Sequence, residues 1–127
     1  MNKDKPQQVL IVEDEPSLLS TLTKKISELG VTVHQATDGK EGLSLFKKHR
    51  PDLVLADIIM PNMNGFDLIQ KLRTEFGNSF KVMFITNLSD TQDKEMGESL
   101  DIDDYILKSD ISLRAIQNKV SQVLNKN

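Results

Sequence analysis

Apolar residues recur along the chain in five short runs, and polar residues close each of them. The runs Val9–Val12 and Leu53–Ala56 are continuous, which is typical of parallel strands buried on both faces. The run Val31–Ala36 partly alternates with polar residues, which favours a strand nearer the edge of a sheet. We predict strands at Val9–Val12, Val31–Ala36, Leu53–Ala56, Val82–Ile85 and Tyr105–Leu107.

The segments between these runs have apolar residues at helical spacing. Pro16 suits the first turn of one helix and Gly30 its end, while Asp38 is placed to cap a second helix that Pro51 stops. The segment Ser89–Leu100 is the weakest of the predicted helices, because it is polar and contains Gly97. Further helices are predicted after the turn residues 60–65 and after a cap at Asp110 or Ser112.

Strands that alternate with helices over short connections form βαβ units, and therefore a parallel sheet covered on both faces. We expect an α/β, flavodoxin-like doubly wound (βα)5 fold, with a five-stranded sheet in the order 2-1-3-4-5. The length of 127 residues fits one domain. We assign residues 1–127 to that domain, with its core at 8–125.

Composition narrows the class of protein. The absence of cysteine excludes a disulfide scaffold and a cysteine nucleophile, and it fits a reducing compartment. The balance of 16 basic against 19 acidic residues gives a net charge of −3. This charge argues against direct binding to nucleic acid or to an anionic membrane. No apolar run spans a bilayer, and the first residues lack the apolar core of a signal peptide. We therefore expect a cytoplasmic protein.

The polar residues that follow the strands are the candidate chemistry. Ligands of open parallel sheets bind at the carboxyl ends of the strands, where the strand order reverses. Glu13, Asp14 and Asp57 end the first and third strands, with Thr86 and Lys108 on the two strands beyond. Taken singly, each of these residues could have an ordinary structural role, such as a helix cap for Asp14. Together, three carboxylates that repel one another indicate a Mg²⁺ site with room for a phosphoryl group.

These residues resemble the receiver domain of two-component response regulators, over essentially the whole chain from Val9 to Leu124. The resemblance lies in four motifs: the acidic pair of VLIVEDEP, the aspartate of DLVLADIIMPNMNG, the threonine of VMFIT, and the aromatic residue and lysine of DDYILK. The nearest kind is a stand-alone receiver, as in chemotaxis and phosphorelay proteins.

The resemblance implies that Asp57 accepts a phosphoryl group from a histidine kinase or a phosphotransfer protein. It implies that Mg²⁺ is the cofactor. By the same resemblance, Asp14 and Asp57 bind the ion directly, Glu13 binds it through water, and the backbone carbonyl of Ile59 completes the protein ligands.

The resemblance also implies that Lys108 contacts the phosphoryl oxygens, while Thr86 and Tyr105 form the switch. Such a domain is a phosphoacceptor that promotes only its own phosphorylation and dephosphorylation. Its output partner is a downstream protein that the sequence does not identify. Because proline does not follow Lys108, we also predict a trans peptide bond between Lys108 and Ser109.

Three alternatives share this type of fold. A phosphorylation-independent interaction module would have a broken acid cluster, whereas this cluster is intact. An aspartate-dependent phosphatase would have a second acid two residues after the nucleophile, where this chain has Ile59. A flavin carrier would have a hydroxyl- and glycine-rich loop after the first strand, where this chain has EDEPS.

Overall fold

A computed structural model describes residues 6–86, 100–108 and 112–125. Its strands form one parallel sheet in the order β2-β1-β3-β4-β5, which confirms the predicted order and places β2 at an edge. The strands begin and end within one residue of the predicted runs. They are β1 (Gln8–Val12), β2 (Thr32–Ala36), β3 (Leu53–Asp57), β4 (Lys81–Thr86) and β5 (Asp104–Leu107).

The described residues contain helices α1 (Pro16–Ser27), α2 (Gly39–His49), α3 (Gly65–Phe76) and α4 (Leu113–Leu124). Two predicted caps are confirmed, since the side chain of Asp38 accepts from the Glu41 amide and that of Ser112 from the Ala115 amide. None of these helices is long and apolar enough to cross a bilayer. The predicted helix over Ser89–Leu100, the Asp110 cap and the Lys108–Ser109 bond fall wholly or mainly on residues outside the described part.

The sheet separates two apolar clusters, because successive strand residues point to opposite faces. On one face, Leu10, Val54 and Phe84 pack with α2 and α3. On the other face, residues of the same strands pack with α1 and α4. The central strand β3 is buried along its whole length, including Asp57 at its end. The core therefore holds the candidate acid on a rigid strand.

The side chain of Arg73 ties α3 to the segment that leads into β5. Its Nε donates to the carbonyl of Leu100 (3.0 Å), Nη2 to that of Asp101 (2.9 Å) and Nη1 to that of Phe80 (2.8 Å). Burial lowers the pKa of Arg73, while the nearby carboxylates of Asp101 and Asp103 oppose that effect. Asp101 has a φ of 61°, a left-handed conformation that is uncommon without glycine. The guanidinium thus holds the carbonyls of two consecutive residues at this turn.

Candidate functional site

Three carboxylates meet at the carboxyl end of the sheet, as the sequence predicts. Glu13 and Asp14 follow β1, and Asp57 ends the neighbouring strand β3. The register pairs Val12 with Ala56, so the acids leave the two strands at the same level. One ligand oxygen from each of the three lies within 4.8 Å of the others. This spacing is suited to a shared cation.

Lys108 reaches this acid cluster from β5, across the intervening strand β4. Its Nζ lies 2.7 Å from Asp57 Oδ2 and 3.1 Å from Glu13 Oε1. Burial alone would lower the pKa of Lys108, but its hydrogen bonds to Asp57 and Glu13 outweigh that effect and raise the pKa. Lys108 is therefore held in its charged form, and it offsets part of the negative charge of the cluster.

Glu13 is the most unusual acid of the site, because its side chain is fully buried. Its Oε2 accepts a hydrogen bond from the Glu15 amide at 3.0 Å, whereas its buried Oε1 is paired with the Lys108 ammonium at 3.1 Å. Burial, with a further contribution from the charge of Asp57, raises the pKa of Glu13 from 4.5 to about 7. One ammonium is thus insufficient to stabilise all of the negative charge.

Glu13→Gln is expected to stabilise the metal-free protein at high pH. A carboxyl group whose pKa is raised on folding contributes stability below its ordinary pKa, and that contribution disappears as the pH passes the folded value. Wild type should therefore lose on the order of 2–3 kcal/mol relative to the variant between about pH 5 and pH 8. Denaturant unfolding in a chelating buffer measures this difference, and a difference that does not change with pH would contradict the prediction.

Asp57 is fixed by its own loop. Its Oδ1 accepts a hydrogen bond from the amide of Ile59 at 3.2 Å, and the Gly65 amide donates to the carbonyl of Ile58 at 2.8 Å. A Cβ at position 65 would lie 2.5 Å from the Asp57 carbonyl oxygen, closer than such atoms approach in proteins. Gly65 was expected in the preceding turn, but it is the first residue of α3. It allows the helix to start against the strand that carries Asp57.

The remaining predicted residues divide into two groups. A small open cavity of about 260 Å³ is lined by seven residues, of which Glu15 was not predicted: Glu13, Asp14, Glu15, Asp57, Ile59, Thr86 and Lys108. Tyr105 lies outside this lining and packs near Phe84, with ring centroids 5.9 Å apart.

The interpretation of Asp14 as the cap of α1 is wrong. Glu15 is the N-cap of that helix, and no side chain accepts a cap hydrogen bond there.

Residues 9–121 match the family model of the response regulator receiver domain, and the chain belongs to this family. A probable transcriptional regulator, ycf27, of Porphyridium aerugineum is 36% identical over 120 residues, which are 94% of this chain and 49% of that protein. The DNA-binding response regulator MtrA of Mycolicibacterium smegmatis is 36% identical over 102 residues, which are 80% of this chain and 44% of that protein. The chain thus spans about half the length of these curated relatives.

Solved structures of receiver domains share the fold. The receiver domain of the Francisella response regulator 1452 superposes with a TM-score of 0.84 at 28% identity, over 93% of this chain and 96% of that one. A CheY-like receiver domain protein from Methanospirillum hungatei gives a TM-score of 0.88 over 95% of each chain. The second protein is only 24% identical, so it supports the fold alone.

Proposed function

We propose that this receiver domain accepts a phosphoryl group on Asp57 from a phosphohistidine of a histidine kinase or a phosphotransfer protein. One observation carries the proposal: Asp57 ends a buried strand, with the Lys108 ammonium 2.7 Å from its Oδ2 and the carboxylates of Glu13 and Asp14 beside it. A carboxylate in such a place can act as a nucleophile toward phosphorus. The proposed setting is the cytoplasm, which the lack of cysteine supports.

The residues of the acid cluster fit a Mg²⁺ ion. Three carboxylates face one ammonium, and the fully buried Glu13 shares that ammonium with Asp57. Oxygen ligands with space for water are what Mg²⁺ prefers. Asp14, Asp57 and the carbonyl of Ile59 would hold the ion directly, and Glu13 would hold it through water. The bound ion would neutralise the oxygens of the phosphoryl group.

In the proposed transfer, a carboxylate oxygen of Asp57 attacks phosphorus and the phosphorus–nitrogen bond of the donor breaks. The electron pair of that bond stays on the imidazole nitrogen of the donor. The Asp57 carboxylate becomes an acyl phosphate, and Lys108 moves its hydrogen bond from Asp57 to the new phosphoryl oxygens. Positioning and charge neutralisation account for most of the catalysis in such transfers, so a rigid Asp57 and a charged Lys108 are the main contributions of the chain.

The product replaces the single negative charge of the Asp57 carboxylate with a phosphoryl group that carries up to two negative charges and three acceptor oxygens at the end of β3. Thr86 ends the adjacent strand β4 and lines the same cavity, so its hydroxyl can donate to one of the new oxygens. Tyr105 lies on the neighbouring strand β5. It would then change its packing and alter the surface that a downstream protein binds. An aspartate-dependent phosphatase has a second acid at the position that Ile59 occupies here. Because isoleucine cannot act as that acid, the site favours a phosphoacceptor over an enzyme that acts on other substrates.

Phosphorylation by a small donor tests the proposed function. The protein would be incubated with phosphoramidate, with Mg²⁺ or with a chelator, and digested for mass spectrometry. We expect an acyl phosphate, cleaved by hydroxylamine, on the peptide that contains Asp57 and only when Mg²⁺ is present. Label on another residue, or equal label in the chelator, would contradict the proposal.

Ile59→Asn is expected to speed the loss of phosphate several-fold. Ile59 lines the cavity and is 60% exposed, so its apolar side chain crowds the approach of water and cannot orient it. Leu88, for which we predict the same effect, lies outside the described residues. The decay of purified phosphoprotein measures the rate, with Leu113→Asn as the control because Leu113 is also an exposed apolar residue. Equal decay rates in the variant and wild type would contradict this role of Ile59.

A further inference from the structure

The loop between β3 and α3 carries the backbone carbonyl that we assign to the metal. Ile58 and Met60 are buried, with 3% and 8% of their surface exposed, whereas Ile59 between them is 60% exposed. The loop is thus attached to the core on both sides of Ile59. Because a backbone carbonyl cannot adjust its position by rotating a side chain, its place depends on what holds the rest of the loop.

One support for this loop comes from α2, a helix that contributes no residue to the acid cluster. A Cβ built on Gly39 would lie 2.7 Å from Cβ of Met63, 2.9 Å from its Cγ and 3.0 Å from its carbonyl oxygen. Two of these atoms belong to the backbone or lie next to it, so rotation of a flexible side chain would not relieve the contact. The first residue of α2 therefore lies directly against the loop.

Conformational freedom does not explain the glycine at position 39. Among the described glycines, the positive φ angles belong to Gly30 and Gly77, so Gly39 has a backbone conformation open to other residues. Alanine is also the better helix former, by up to about 1 kcal/mol. Asp38 caps α2 through its own side chain, which does not depend on residue 39 lacking a side chain. The close approach of Met63 is therefore the reason that position 39 requires a glycine.

We propose that Gly39 is a positioning residue for the metal-binding loop. By letting Met63 lie against a bare Cα, it fixes the loop from the side of α2, while Gly65 fixes it from the side of α3. The inference rests on the proposed function, because it takes the Ile59 carbonyl as a Mg²⁺ ligand. A side chain at position 39 would push on Met63 and shift the Ile59 carbonyl relative to Asp57.

The test compares substitutions on both sides of the contact. Gly39→Ala should weaken Mg²⁺ binding, measured by the rise in Tm during a Mg²⁺ titration, by roughly 10- to 100-fold, as is usual when the support of a metal ligand is lost. Gly42→Ala is the matched control, because a Cβ there would meet side-chain atoms of Val12 and Leu68 instead of the loop. This control should keep the Mg²⁺ affinity of wild type whatever its own stability.

A second variant serves if Gly39→Ala does not fold. Met63→Gly removes the side-chain atoms that face Gly39 without adding any, and it should also weaken Mg²⁺ binding. In the double variant Gly39→Ala/Met63→Gly, the added methyl group enters the space that Met63 has left. Its Mg²⁺ affinity should then be no lower than that of Met63→Gly alone, since the two substitutions act on one contact.

Hydrogen exchange without metal gives an independent readout. The Ile59 amide donates to Asp57 and the Gly65 amide to Ile58, so both should exchange faster in Gly39→Ala and remain as in wild type in Gly42→Ala. Wild-type Mg²⁺ affinity in Met63→Gly, or in a folded Gly39→Ala with unchanged exchange, would overturn the inference. Absence of Mg²⁺ binding by wild type would overturn the proposed function itself, and the role of Gly39 with it.

Discussion

Asp57→Asn should abolish phosphorylation while the domain stays folded. The amide has the shape of the carboxylate, and its oxygen can still accept a hydrogen bond from the Ile59 amide or from Lys108. It lacks the negative oxygen that attacks phosphorus, so we expect labelling by phosphoramidate to fall to background. Phosphorylation assayed by hydroxylamine-sensitive label, together with circular dichroism to confirm folding, measures the effect.

A matched control for this substitution is available at the same end of the sheet. Asp38→Asn makes the same chemical change at the cap of α2, where asparagine serves as well as aspartate. This control should be labelled like wild type. Label on Asp57→Asn at the level of wild type would show that the phosphoryl group goes to another residue.

Asp14→Ala should remove the stabilisation that Mg²⁺ gives. Ligand binding at about a hundred times Kd stabilises a folded protein by about 2.7 kcal/mol, and wild type should show this gain as a rise in Tm with Mg²⁺. Asp14 is exposed, lines the cavity and does not cap α1, so its loss should leave the fold intact. The metal-free variant should even gain a few tenths to about 1 kcal/mol, because one of three like charges is removed.

Thermal unfolding with and without Mg²⁺ separates these effects. Asp67→Ala, which removes an exposed carboxylate from the first turn of α3, is the control and should respond to Mg²⁺ like wild type. A metal-dependent rise in Tm equal to that of wild type would contradict the role of Asp14. Phosphorylation by phosphoramidate should be lost in the Asp14 variant in parallel with the metal response.

Much of the site could be predicted because a parallel sheet brings the ends of its strands together. The burial of β1 and β3 is visible in their continuous apolar runs, and the acids that end them had to become neighbours once the strand order was assumed. The alternation in Val31–Ala36 likewise predicted the edge position of β2, although the strand begins one residue later. These predictions rested on the apolar periodicity of each run and on the polar residue that follows it.

Other parts of the site left no such signal in the sequence. Gly65 was interpreted only as a turn residue, and Gly39 was not singled out, because the sequence does not show which atoms would lie against their Cα atoms. The pKa of Glu13 is raised mainly because its side chain is completely buried. The position of an acid after a strand does not predict that burial. Glu15 lines the cavity only because β1 passes into α1 over a very short connection.

One helix links the two ends of the ion pair between Asp57 and Lys108. The first residue of α3 lies against the strand that carries Asp57, and two turns later Arg73 binds the segment before β5, the strand that Lys108 follows. The strand that carries Asp57 and the segment that leads to Lys108 are therefore both in contact with one helix. A displacement of β5 away from β3 would therefore strain the Arg73 hydrogen bonds or move α3, whereas rotation of the Lys108 side chain alone would leave both unchanged.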